Sequence, residues 1–78
     1  MYILYNTPFC PYCQKVVSFS EEKGIELTLR NINEGDHRAD LIERGGKATV
    51  PYLVDDSNGT EMYESDDIIT YLGSRIDA

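Results

Sequence analysis

Tyr2-Ile3-Leu4-Tyr5-Asn6-Thr7-Pro8-Phe9-Cys10-Pro11-Tyr12-Cys13 opens the 78-residue chain after Met1 and holds both of its cysteines. Tyr2 to Tyr5 is a short apolar run that ends in the turn cluster Asn6-Thr7-Pro8, as expected of a strand covered on both faces. From Pro11 the pattern turns helical to Lys23. Cys13, Val16, Val17 and Ser20 share one stripe, Lys15 and Glu22 point elsewhere, and Lys23-Gly24 is a stop. Pro11 suits a first turn, where its missing N–H costs nothing. The two cysteines therefore sit at the junction of a strand and a helix.

That placement has a chemical consequence. The thiolate, not the thiol, attacks a disulfide. A sulfur at a helix N-terminus faces unpaired backbone N–H groups and the positive end of the helix dipole, and both favour the anion. Cys10 meets that condition and is the expected nucleophile. Cys13, one turn further in, is expected to be more buried, to hold its proton more tightly and to act as the resolving thiol. A disulfide between them closes too small a loop to constrain the unfolded chain much, so the pair suits redox chemistry better than stapling. A zinc site needs further ligands, and His37 is the sole imidazole, with nothing clustered around it. No metal is expected.

The rest of the chain extends the pattern. Ile25 to Arg30 alternates, with Ile25, Leu27 and Leu29 expected on a buried face. Asp36 to Arg44 reads as a short helix, with Asp36 as N-cap, Leu41 and Ile42 inward, and Gly45-Gly46 as terminator. Tyr52-Leu53-Val54 and Glu61-Met62-Tyr63 flank Asn58-Gly59 as a β-hairpin. Ser65 is the expected N-cap of a last helix carrying Ile68, Ile69, Leu72 and Ile76, with Asp66 and Asp67 in its first turn. The order is βαβαββα, and the first two strands are expected to be parallel and the last two antiparallel. The implied fold class is α/β, a four-stranded mixed sheet with helices on both faces, similar to the thioredoxin-like fold.

Bulk properties bound the partners. Residues 1–78 are expected to form one domain, with 41% apolar residues and no linker or repeat. A net charge of −7 disfavours nucleic acid. No apolar run reaches a membrane span and the first residues lack a secretory pattern, so a cytoplasmic location is expected. Between Ala48 and Ser74 there is no Lys or Arg, while Asp55, Asp56, Glu61, Glu64, Asp66 and Asp67 fall there. Most of these read as a solvated acidic face.

The sequence closely resembles a dithiol glutaredoxin on three segments. Cys10-Pro11-Tyr12-Cys13 matches the family's active site. Thr49-Val50-Pro51 matches a segment whose Val–Pro bond is cis in the family and whose Val backbone pairs with the peptide part of glutathione. The third segment, Glu64-Ser65-Asp66-Asp67, is mixed: Tyr63-Glu64-Ser65 is similar to the Glu-Ser of glutathione transferase N-terminal domains. Both families hold the γ-glutamyl end of glutathione at this helix start, where N–H groups suit a carboxylate and nearby acids suit an ammonium.

The resemblance implies Ser65 and Asp66 as γ-glutamyl ligands, with Glu64 and Asp67 secondary. Many glutaredoxins carry a Lys before the active-site cysteine; Thr7-Pro8-Phe9 stands there, and Lys47 reads either as the substitute for the glycyl carboxylate or as a solvent-exposed loop lysine. Tyr12, with Pro11 beside it, is the expected wall of the groove. The implied activity is glutathione-dependent reduction of protein disulfides and of protein–glutathione mixed disulfides. Glutathione is the reductant, no cofactor is permanently bound, and a monomer is expected. Two rivals stand beside it: a thioredoxin-type redoxin reduced by a flavoenzyme, and a glutathione-ligated iron–sulfur carrier dimer. A third is an idle glutathione-binding domain related to the transferases.

Overall fold

A computed structural model describes residues 1–76. The elements follow the expected order: β1 (Tyr2–Asn6), α1 (Pro11–Lys23), β2 (Leu27–Asn31), α2 (His37–Gly45), β3 (Tyr52–Asp55), β4 (Thr60–Tyr63) and α3 (Ser65–Ile76). The side chain of Ile76 lies outside the described residues. The sheet runs β2-β1-β3-β4, with β1 parallel to β2 and β3 antiparallel to both β1 and β4. This is the thioredoxin-like α/β fold.

The central strands explain the two-sided core. Alternate residues of β1 and β3 point to opposite faces. Ile3, Tyr5, Tyr52 and Val54 join Ile32 and Leu41 on the α2 side. Leu4 and Leu53 join Val16, Ile68 and Leu72 on the side that α1 and α3 cover. Tyr2–Tyr5 and Tyr52–Val54 are therefore apolar without interruption, as strands covered on both faces must be.

Helix α1 is delimited as its residues dictate. Pro11 takes the first helical position, and Gly24 closes the helix in the left-handed region at φ 71°. The Gly24 N–H bonds back to the Ser20 and Glu21 carbonyls, and the Ile25 N–H reaches the Ser20 carbonyl at 2.8 Å. This closure uses Ile25 as part of the turn, so β2 begins at Leu27 and not at Ile25.

Several expectations are corrected. Leu29 is 49% exposed, because β2 is an edge strand and a cleft separates it from Val17 and Glu21 of α1. Ile42 is 45% exposed, while Leu41 is fully buried. Neighbouring helical residues point about 100° apart, and Leu41, not Ile42, is on the side of α2 that packs against the sheet. Gly45 is thus the last residue of α2, and Gly46 caps it at φ 92°. Asp36 occupies the N-cap without a side-chain bond.

Ser65 is the first residue of α3 and not its cap. Glu64 precedes it at φ 72°, its carbonyl accepting the Ile68 N–H at 3.0 Å. Asp55 does not belong to a solvated face. It is buried, accepts bonds from the Ser57 hydroxyl and Tyr71 hydroxyl at 2.6 Å each, and has Arg75 at 3.9 Å. Burial alone would raise its pKa, but the bonds from Ser57 and Tyr71 and the charge of Arg75 outweigh it and hold the carboxyl below its ordinary value. Glu61 is also engaged, accepting the Tyr52 hydroxyl at 2.6 Å and pairing with Arg44 at 3.4 Å.

Candidate functional site

The β1–α1 junction delivers the two thiols. Cys10 is the N-cap residue of α1, with extended backbone (φ −96°, ψ 110°), and its Sγ accepts the Cys13 backbone N–H at 3.1 Å. Sulfur thus occupies the capping position that a Ser or Asp oxygen usually takes, and it satisfies one of the free donors of the first turn. Cys10 is partly exposed and Cys13 is buried; both are free thiols. Burial first, and the hydrogen-bonded Cys10 sulfur second, push the Cys13 thiol up to about 12, against a smaller lowering by the Thr7 backbone. The expected asymmetry between an accessible and a protected thiol is present in the geometry.

Tyr12, two residues after Cys10, lines a groove of about 310 Å³ together with Thr49, Val50, Pro51, Glu64, Ser65 and Asp66; neither cysteine is on its wall. Three distant segments supply these walls. The first turn of α1 presents Tyr12, which is 64% exposed. The segment before β3 presents Thr49, Val50 and Pro51, joined by a cis Val50–Pro51 peptide bond. The start of α3 presents Ser65, which is buried, and Asp66, which is exposed. Asp66 accepts a hydrogen bond from Lys15 Nζ at 2.6 Å, which links α1 to α3.

Besides the two cysteines, three sequence candidates fall outside the groove lining. Lys47 holds its ammonium 5.0 Å from the centre of the Tyr63 ring. Asp67 is exposed on α3, and Pro11 is exposed at the start of α1. Phe9, 92% exposed, projects into solvent next to Cys10. A larger cleft of about 450 Å³ lies at the opposite end of β1, among Met1, Tyr2, Ile25, Leu72 and Arg75. It is remote from the thiol chemistry. Among the described residues, no His, Cys, Asp and Glu cluster has the composition of a metal site.

Sequence reasoning missed Lys15, whose partner is 51 positions away, and a polar network beneath α2. There Tyr5 donates to Asp40, and Arg30 and Arg44 flank the same carboxylate at 3.5 and 3.6 Å. The Tyr5 hydroxyl holds Asp40 below its ordinary value, aided by Arg44 and Arg30 and opposed by burial. Next to it Tyr52 is raised well above its ordinary value by burial and by its bond to Glu61. The one signal in the sequence was the placement of Tyr5, Tyr52 and Tyr63 on strands. Their register joins them into a ladder, with ring centres 6.1 and 4.5 Å apart.

The chain is 35% identical over 72 residues to the stringent starvation protein A homolog of Coxiella burnetii, covering 92% of this chain and 34% of that protein. It is 31% identical over 58 residues to glutaredoxin 1 of Rickettsia felis, covering 70% of this chain and 57% of that one. Among solved structures, glutaredoxin 2 of Salmonella typhimurium in complex with glutathione superposes with a TM-score of 0.79 at 29% identity. That match covers 92% of this chain and 32% of the other. The chain thus spans about a third of the first of these relatives and over half of the second. The family model described as glutathione S-transferase, N-terminal domain, matches residues 4–78, and the chain belongs to that family.

Proposed function

We propose that this chain is a dithiol glutaredoxin of the Cys-Pro-Tyr-Cys class, a glutathione-dependent thiol–disulfide oxidoreductase acting in the cytoplasm as a monomer. The observation that carries the reading is the Cys10 sulfur at the N-cap of α1, 3.1 Å from the Cys13 N–H, in the same first turn as Tyr12, which walls a groove with Thr49-Val50-Pro51 and Glu64-Ser65-Asp66. The fold and the family limit the class of chemistry, and the glutathione complex of the Salmonella typhimurium relative supports glutathione as the ligand.

In the first step the Cys10 thiolate attacks the glutathionyl sulfur of a protein–glutathione mixed disulfide. The S–S bond breaks, the protein thiolate leaves and takes a proton, and Cys10 carries glutathione. A second glutathione thiolate attacks that same glutathionyl sulfur, releasing glutathione disulfide and the Cys10 thiolate. With a protein disulfide, Cys10 first forms a mixed disulfide with the substrate. Cys13 then loses its proton and attacks the Cys10 sulfur, freeing the second substrate thiol and leaving a Cys10–Cys13 disulfide. Two glutathiones reduce that disulfide. The part of the Cys13 pKa rise that comes from the neighbouring Cys10 sulfur is relieved once that sulfur is in a disulfide, which favours attack at that step.

In the groove, the α3 N-terminus takes the γ-glutamyl carboxylate, with Ser65 at its first position. Asp66 and Glu64 face the ammonium, and the Val50 backbone pairs with the cysteinyl peptide. Lys47 serves the glycyl carboxylate only after leaving the Tyr63 ring. Coupled turnover of a small glutathione mixed disulfide with glutathione, glutathione reductase and NADPH tests the reading. Activity lost in Cys10→Ser and retained in Cys13→Ser is expected. Equal loss in both variants would overturn the division of roles, and inactivity of the folded protein would favour a flavoenzyme-reduced redoxin or a cluster carrier.

A further inference from the structure

The groove walls come from segments that are not bonded to each other along the chain. Residues 46 to 51 form an irregular connection between α2 and β3, while residues 64 to 66 open α3. Tyr63, the last residue of β4, spans the two. Its hydroxyl donates to the Lys47 carbonyl at 2.7 Å, and the Lys47 ammonium lies 5.0 Å from its ring centre. The ring is itself seated against Tyr52, 4.5 Å between centres, and Tyr52 is buried and bonded to Glu61. Gly45 makes room for it: a Cβ there would fall 2.7 and 2.9 Å from ring carbons of Tyr63.

We propose that Tyr63 is a positioning residue for the groove, setting the Thr49–Pro51 wall at its working distance from Glu64–Asp66. This rests on the reading of the groove as the glutathione site. The residue makes no contact with the reacting sulfurs; it acts through the Lys47 carbonyl, two residues before Thr49, and through its peptide bond to Glu64. A loop that loses a hydrogen bond tying it to the sheet opens locally more often. The wall then has to be ordered by the ligand, and affinity falls. The chemistry at Cys10, held by α1, is untouched.

The test is Tyr63→Phe, which keeps the ring and removes the donor. Tryptic cleavage after Lys47 in the folded protein is measured, together with turnover of the glutathione mixed disulfide and the alkylation rate of Cys10. Faster cleavage there is expected, with KM for the glutathione mixed disulfide raised roughly three- to tenfold. Both kcat and Cys10 alkylation stay at the wild-type level, a split that general destabilisation would not produce. Unchanged cleavage overturns the anchoring role. Faster cleavage with unchanged KM overturns the positioning role. A wild-type protein that does not turn over the glutathione substrate overturns the reading of the groove itself, a result distinct from either.

Discussion

Gly45→Ala should destabilise the protein even though alanine is the better helix former. The new methyl would stand 2.7 and 2.9 Å from Tyr63 ring carbons and closer still to its hydroxyl, so either the ring or the end of α2 must move. Moving the ring gives up its hydrogen bond to the Lys47 carbonyl, about 1 kcal/mol net. It also loosens the Tyr52–Tyr63 pair, about 0.5–1.5 kcal/mol. Keeping the ring in place forces overpacking instead, about 1–3 kcal/mol. Against these stands the helix-propensity gain of at most about 1 kcal/mol, reduced here because Gly45 is the terminal residue of α2. The net expectation is a loss of roughly 1–2 kcal/mol, or about 4–16 °C in Tm for a domain of this size. Urea denaturation followed by far-UV circular dichroism measures it. Equal or greater stability in the variant would refute the close approach of α2 to Tyr63.

Three further outcomes are expected. At pH 8 in the folded protein, iodoacetamide should modify Cys10 and spare Cys13, whose thiol is pushed up to about 12 by burial and the Cys10 sulfur. Two adducts forming at similar rates by mass spectrometry would contradict that asymmetry. Asp55→Asn should flatten the acid limb of the stability curve. A carboxyl held below its unfolded value contributes stability that is complete above about pH 4 and is lost as pH falls through the folded pKa. Parallel acid titrations of variant and wild type would show the idea to be wrong. Leu53→Ala empties a fully buried position between α1 and α3 and should cost about 2–5 kcal/mol, read by the same denaturation assay.

Local rules carried much of the architecture. The four apolar residues from Tyr2 to Tyr5, Pro11 at a first turn, Gly24 at a helix end and Asn58-Gly59 between two strands each act within a few positions of the chain. Each therefore marks its element in the sequence. Leu29 and Ile42 failed for a common reason: periodicity predicts the face a residue shares, but not whether anything covers that face. The edge position of β2, and the turn of α2 that directs Leu41 and not Ile42 at the sheet, leave both side chains to solvent.

The groove was partly legible. Tyr12, Thr49, Val50, Pro51, Ser65, Asp66 and Glu64 are candidates on sequence, and all seven line one cavity. Lys47 is near Thr49 in sequence, yet its ammonium is directed at Tyr63. Tyr63 itself, the Lys15–Asp66 link and the buried Asp55 depend on partners 16 to 51 positions away, and no local pattern reports such pairs.

The measurement that bears most directly on the central claim is glutathione-dependent turnover of a protein–glutathione mixed disulfide by wild type, Cys10→Ser and Cys13→Ser side by side. The account predicts turnover in wild type and Cys13→Ser, and none in Cys10→Ser. Folded wild-type protein with two titratable thiols and no turnover would contradict it.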